Sequence, residues 1–261
     1  MTAPEPVTRR SRSRRPRRRT SVVGVFGEIL ITLGVVALLY VSWQLWIGDL
    51  IYGAERSDQA HSLSEQWQAE YEATQTATPD PTATDDTDDD SAVTVPVVAQ
   101  PADGEVFATM YIPRFGSDYA FPMAGGVTKA TTLDPIGIGH YMDTQMPGEA
   151  GNVAVAGHRT TFGKPFNQIA DLHVGDAIVI ETLDGWYTYR FRTLEYVTPD
   201  SVDVLLPVPQ EVDVTSDESF LTMTSCSPMY SQAERIVAYS VFESFTPRAD
   251  GAPASLTEGV S

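Results

Sequence analysis

Three residues in the second half of this 261-residue chain have types and spacings that could support chemistry. Cys226 is the only cysteine and ends the run Phe220-Leu-Thr-Met-Thr-Ser-Cys. Strand alternation puts Thr222, Thr224 and Cys226 on one face of that run, and Ser227-Pro228 break it. An unpaired thiol is either inert through burial or kept for its reactivity. Arg235 opens the next β-rich run, at a spacing that lets two antiparallel strands bring it to the same rim as Cys226. A guanidinium there could bind a carbonyl or stabilise an oxyanion, and a surface ion pair with Glu234 is its plainer use. His158, in Ala-Gly-His-Arg-Thr, follows a run of small residues. Beside a thiol it could protonate a leaving amine and deprotonate an incoming one. His140, in Gly-Ile-Gly-His-Tyr, competes for that role, as Arg159 competes with Arg235. Composition does not choose between them.

The elements that must position these residues read as β. Residues 151–157 (GNVAVAG) form a small-residue strand. Residues 177–181 and 186–191 flank Asp184-Gly185, a type I′ hairpin signal, with Tyr187, Tyr189 and Phe191 on one face. Residues 220–225 and 236–242 are further strands. Residues 165–172 make the best helix, with Phe166, Ile169 and Leu172 on one side, and His173 after it reads as solvated. Many short strands and one or two short helices predict a closed or nearly closed antiparallel barrel over residues 102–247. The polar residues 248–261 read as a flexible tail.

Charge and hydropathy place this domain. The net charge of -18 divides into +7 over residues 1–19, -12 over 20–101 and -13 beyond. The only basic block is a short arginine arm, residues 1–21, so nucleic acid is not a partner. One cysteine excludes an internal disulfide framework and a thiolate-rich metal site, and no metal or cofactor is implied. Residues 22–47 are apolar, long enough to span a bilayer, and carry Tyr40, Trp43 and Trp46 toward the far end. A cleaved signal peptide has a shorter core and a small-residue cleavage pattern absent here. The arginines predict a single-pass anchor with a cytoplasmic N-terminus and an extracytoplasmic domain. Residues 48–101 read as a spacer. A short helix over 57–73, with Leu63, Trp67 and Tyr71 at helical spacing and a solvated His61, leads into a disordered Thr/Pro/Asp-rich linker. Its aspartates, Asp85 to Asp90, lack the glycine and terminal glutamate of a calcium loop.

Taken in order, Gly139-His140-Tyr141, Pro147-Gly148-Glu149-Ala150-Gly151-Asn152, Ala156-Gly157-His158-Arg159, Thr222-Met223-Thr224-Ser225-Cys226 and Arg235 resemble the sortase family. The family's T-L-x-T-C motif carries Met for Leu and Ser for Thr here. The G-H-Y and P-G-E-x-G-N segments, with the N-terminal anchor, are most similar to class E sortases of actinobacteria. The resemblance implies an eight-stranded sortase-type β-barrel. It implies Cys226 as nucleophile, His158 as general acid and base, and Arg235 as support for the substrate carbonyl. Thr222, Thr224, Ser225, His140 and Tyr141 become substrate-binding or wall residues. The implied reaction is cysteine transpeptidation without a cofactor. A surface protein is cut between Thr and Gly of a C-terminal sorting motif, of Leu-Ala-X-Thr-Gly or Leu-Pro-X-Thr-Gly type. It is then joined to an amine of a lipid II-like peptidoglycan precursor.

Pilin-polymerising sortases carry an Asp-Pro-aromatic lid. Here Ile136 follows Asp134-Pro135, which reads as an ordinary turn. Two rivals stand beside this reading. An L,D-transpeptidase needs an S-x-G-C-x-R pattern that is absent around Cys226. An inactive, membrane-tethered binding barrel would carry a thiol of ordinary reactivity.

Overall fold

The computed structural model of the protein describes residues 21–43, 48–77 and 95–259. The expected arginine arm, the end of the expected span at 44–47 and the aspartate-rich stretch within 78–94 lie outside the described residues. The chain divides into two compact units, the second beginning at Trp46. In the first, α1 (Val22–Ser42) is long and apolar enough to cross a membrane, and none of its residues is buried.

The second unit is a closed eight-stranded barrel. Its strands are β1 (Val106–Tyr111), β2 (Ala120–Gly125), β3 (Ile138–His140), β4 (Gly151–Gly157), β5 (Ala177–Glu181), β6 (Gly185–Val197), β7 (Ser219–Ser227) and β8 (Glu234–Pro247). They close in the order β1-β2-β3-β4-β7-β8-β6-β5. The barrel is not wholly antiparallel as expected, because β2–β3 and β4–β7 pair parallel. A parallel neighbour requires the chain to cross back to the same end, and residues 126–137 do this between β2 and β3. The core fills with alternate side chains of each strand, including Met110, Met123, Ile138, Val155, Leu221 and Met223. Tyr187, Tyr189 and Phe191 point into it, as their spacing predicts.

Three local expectations are corrected. In the β5–β6 hairpin the Thr182 amide donates to the Gly185 carbonyl, so the two-residue turn is Leu183-Asp184 and Gly185 is the first residue of β6. Gly185 is required by close approach: at φ +151°, a Cβ there would lie 2.2 Å from the Thr246 carbonyl oxygen. Residues 165–172 form turns and one 3₁₀ segment, Ile169–Asp171, although Phe166, Ile169 and Leu172 are buried as the helical spacing required. Apolar spacing fixed which side chains face inward, while the backbone followed the barrel wall. The short spacer helix is α2 (Gly48–Ala77), and it packs on β2 instead of standing free. Ala60 is fully buried, Leu63, Trp67 and Tyr71 are half-buried, and Ser57 donates to the Asp118 carbonyl.

Of the segment expected to be a flexible tail, residues 248–259 are folded against the barrel. Arg248 and Glu181 form an ion pair at 2.9 Å with side chains 1% exposed. Glu181 also accepts hydrogen bonds from Tyr111 on β1 and Ser64 on α2. Arg248 stacks over Trp186 at 4.8 Å, and Leu256 packs with Ala177, Val179 and Trp186 on the outer face of β5 and β6. A polar sequence conceals this because its one buried cation is matched by a glutamate 67 residues earlier. Removing one partner of such a pair strands the other charge in the interior. Arg248→Ala is expected to cost about 3–5 kcal/mol in chemical denaturation of the full chain. Arg192→Ala, at an exposed position of β6, should stay within about 0.5 kcal/mol.

Candidate active site

The site is assembled where β4, β7 and β8 lie side by side. In the antiparallel β7–β8 ladder Cys226 is paired directly with Arg235. In the parallel β4–β7 ladder Ala156 is paired with Thr224, and two residues further each chain reaches His158 and Cys226. Cys226, His158 and Arg235 line one cavity of about 650 Å³, with Tyr141, Thr224 and Phe162 among its walls. Cys226 is half-buried and free. Arg235 donates to the backbone carbonyls of Gln232 and Glu234 and forms no ion pair among the described residues. Its plainer use as a partner of the Glu234 carboxylate is not what the structure holds.

His158 is held by groups from other elements. Its Nε2 lies 2.7 Å from Asp134 Oδ1, and its ring stands 5.2 Å from that of Phe162 at an interplanar angle of 32°. Phe162 adopts the left-handed conformation at φ +53°, which turns it back over the histidine. Gly157 lets the strand end in this place, since a Cβ there would lie 2.8 Å from the Phe166 ring. Asp134, read from sequence as part of an ordinary turn, was missed as a site residue. The Asp-Pro dipeptide gives a turn signal and nothing more, and His158 lies 24 positions away. Phe162 and Tyr230, which also line the cavity, carried no signal either.

The other residues implied as substrate-binding divide. Tyr141, Thr224 and Ser225 line the cavity. The Tyr141 hydroxyl lies 3.1 Å from Thr224 Oγ1, and Ser225 donates to the Gly157 carbonyl at 2.8 Å, tying β7 to the end of β4. Thr222 and His140 do not reach the cavity. Thr222 is fully buried and donates to Asn152 Oδ1 at 2.8 Å, so its hydroxyl joins β7 to β4. His140 is fully buried, with Nε2 2.9 Å from the Gln145 carbonyl oxygen. A carbonyl only accepts, so Nε2 carries the proton, and the buried Nδ1 has no partner among the described residues. His140 therefore pins the loop between β3 and β4. Arg159 donates to the Asn167 carbonyl and braces its own loop, which leaves Arg235 beside the thiol. A second hollow, walled by Val197, Val202, Leu205 and Val237, continues past Tyr141, Thr224 and Arg235. The two hollows adjoin at Tyr141, Thr224 and Arg235, and the second is the more apolar of the two. A guanidinium beside a thiol, with an imidazole in the same cavity, can support acyl transfer through a thioester.

Known proteins are similar to this chain in sequence and in fold. The family model for the sortase domain matches residues 110–243. Sortase SrtE1 of Streptomyces coelicolor is 32% identical over 254 residues, an alignment covering 95% of this chain and 65% of that protein. The chain thus spans just under two thirds of that relative's length. Among solved structures, the SrtF sortase from Corynebacterium diphtheriae is similar with a TM-score of 0.58 and 36% identity, over 63% of this chain and 99% of that one. Sortase E1 from S. coelicolor, solved with a tripeptide in its active site, gives a TM-score of 0.54 and 33% identity, over 60% of this chain and 99% of that one.

Burial lowers the His140 pKa from its ordinary 6.5, opposed in part by the hydrogen bond to Gln145. An unfolded chain therefore binds this proton more readily than the folded one. The stabilisation is complete above pH 6.5 and is lost as pH falls below it. Thermal melts of the wild type and His140→Gln at about pH 7.5 and about pH 5 check this: the acid-side loss should be smaller in the variant. Equal losses in both proteins would remove His140 as the cause.

Proposed function

The chain belongs to the sortase family, and from that premise we propose that it is a class E-like, membrane-anchored cysteine transpeptidase acting on proteins with a C-terminal sorting motif. The reading rests on the register that sets Cys226 opposite Arg235 while His158 enters the same cavity from β4. The Cys226 thiolate attacks the Thr carbonyl carbon of the Thr–Gly bond. Arg235 supports the developing oxyanion. The tetrahedral species collapses with cleavage of the C–N bond, and His158 gives its proton to the departing glycine nitrogen. A thioester remains on Cys226. An incoming amine then attacks its carbonyl and yields a proton to His158, and the C–S bond breaks to restore the thiolate. One amide is exchanged for another, so no external energy source is needed.

The acceptor in this proposal is an amine of a lipid II-like wall precursor, and the donors are surface proteins. The apolar hollow beside Arg235 suits the leucine that opens a sorting motif. The likeness to class E relatives supports Leu-Ala-X-Thr-Gly as the preferred motif over Leu-Pro-X-Thr-Gly. With α1 as the span and the arginine arm in the cytoplasm, the barrel would stand outside the membrane, where both substrates are found.

The test uses the full chain in detergent with matched Ala-type and Pro-type peptides and a small amine. Intact-mass spectrometry should find a thioacyl adduct on Cys226 and a new amide, more with the Ala-type peptide, and neither in Cys226→Ala. His158→Ala and Arg235→Ala should each lower kcat/KM by about 10²- to 10⁴-fold. An adduct mainly with the Pro-type peptide would discard the motif preference. No adduct with either peptide, together with a Cys226 that alkylates at an ordinary rate, would favour the binding barrel instead.

A further inference from the structure

We infer that Asp134 is the positioning residue for His158, holding the ring by Nε2 and leaving Nδ1 to exchange protons with the leaving and incoming amines. This role rests on His158 being the general acid and base proposed above. A carboxylate only accepts, so the 2.7 Å contact requires the proton on Nε2. Nδ1 is then the basic nitrogen, and it has no hydrogen-bond partner among the described residues. The pair is partly shielded, with side chains 12% and 30% exposed for His158 and Asp134.

Asp134 is placed by a well-fixed element. It caps the π-helical turn Lys129–Leu133, where its amide donates to the Lys129 carbonyl at 2.9 Å and Ile136 donates back to Thr132. Pro135 then stiffens the exit. The ring is thus fixed at one edge by Asp134 and on one face by Phe162.

The charges facing His158 give the carboxylate a second task. Lys129 comes from the β2–β3 connection, Arg159 from its own loop and Arg235 from β8, and all three line the cavity. The remaining titratable neighbours there are Cys226, Tyr141 and Tyr230. Asp134 is the only carboxylate among the described residues of the lining. When His158 takes a proton from the incoming amine, three cations oppose the new charge and one anion in contact with it stabilises it.

Three variants of the full chain in detergent test the role: Asp134→Asn, Asp134→Ala and Asp134→Glu. An asparagine amide can donate to Nε2 and so favours the tautomer with the proton on Nδ1. In Asp134→Asn, kcat should fall by about 10²- to 10⁴-fold, while KM for the Ala-type peptide stays within about twofold and the melting temperature is unchanged. Asp134→Glu should recover about tenfold or more of the loss, because it keeps an acceptor of the same charge. With ¹⁵N-labelled histidine, the His158 ring signals are identified by their loss in His158→Gln. The wild type should keep a proton on Nε2, and in Asp134→Ala the neutral ring should lose its preference for that nitrogen. A kcat for Asp134→Asn within about threefold of wild type, a loss confined to KM, or a wild-type ring with no proton on Nε2 would each overturn the role. A wild type inactive with both peptides would sink the transpeptidase reading alone. The ring-nitrogen spectra would then still decide whether Asp134 fixes the imidazole.

Discussion

The parallel pairing of β4 with β7 is the constraint on which the site depends. Neither strand can be shifted along the other without separating His158 from Cys226, and three β7 hydroxyls reinforce the pairing. Thr222 donates to Asn152, Thr224 to the Val155 carbonyl and Ser225 to the Gly157 carbonyl. A one-residue slip would also turn Leu221 and Met223 out of the core and put Thr222 and Thr224 into it. Hydrophobic alternation and hydroxyl bonding therefore select the same register. Small residues in β4 serve the same end, since every position of GNVAVAG is buried.

Outside the barrel wall a second set of contacts closes what the strands leave open. Glu181, at the end of β5, receives bonds from Tyr111, Ser64 and Arg248, so one buried carboxylate joins β1, α2 and the C-terminal segment. Burying that charge without partners would be costly, and the cation that offsets it is also nearly inaccessible. At the other end of α2, Tyr52 lies 6.2 Å from Phe162, the residue that stands over His158. Gly53 meets Gly163, whose Cβ would lie 3.2 Å from the Gly53 nitrogen. The helix thus braces the barrel and the loop that carries the histidine, instead of serving only as a tether.

Those features that depend on short spacing were legible in the sequence. The interval from Cys226 to Arg235 fits one antiparallel turn, and alternation sent Tyr187 and Tyr189 inward. Ordered motifs put His158 ahead of His140, a choice that composition left open, and His158 is the one that lines the cavity with Cys226. The illegible features all join distant segments. Parallel pairing of β4 with β7 leaves no periodic trace in either strand. Asp134 looks like any aspartate before a proline until the β2–β3 connection brings it to His158. Arg248 sits in a polar segment whose hydropathy is that of a solvated tail, because a paired buried charge and a solvated one read alike. His140 misled for the converse reason: a histidine beside glycines resembles a site residue, yet its ring is consumed in holding a loop.

The outer face of β7 shows how the site keeps its thiol available. Thr222 and Thr224, the residues that share that face with Cys226, both give their hydroxyl protons to β4. Ser225, on the opposite face, does the same. Each is thereby stabilised as part of the wall, and none is left as a competing nucleophile. Cys226 comes after the last β4 partner in the parallel ladder, so it stands opposite Arg235 with no β4 carbonyl assigned to it. Ending the β4–β7 pairing at Ala156–Thr224 therefore separates two tasks along one strand. The hydroxyls of Thr222, Thr224 and Ser225 are spent in bonds to β4, and the next residue offers its thiol to the cavity.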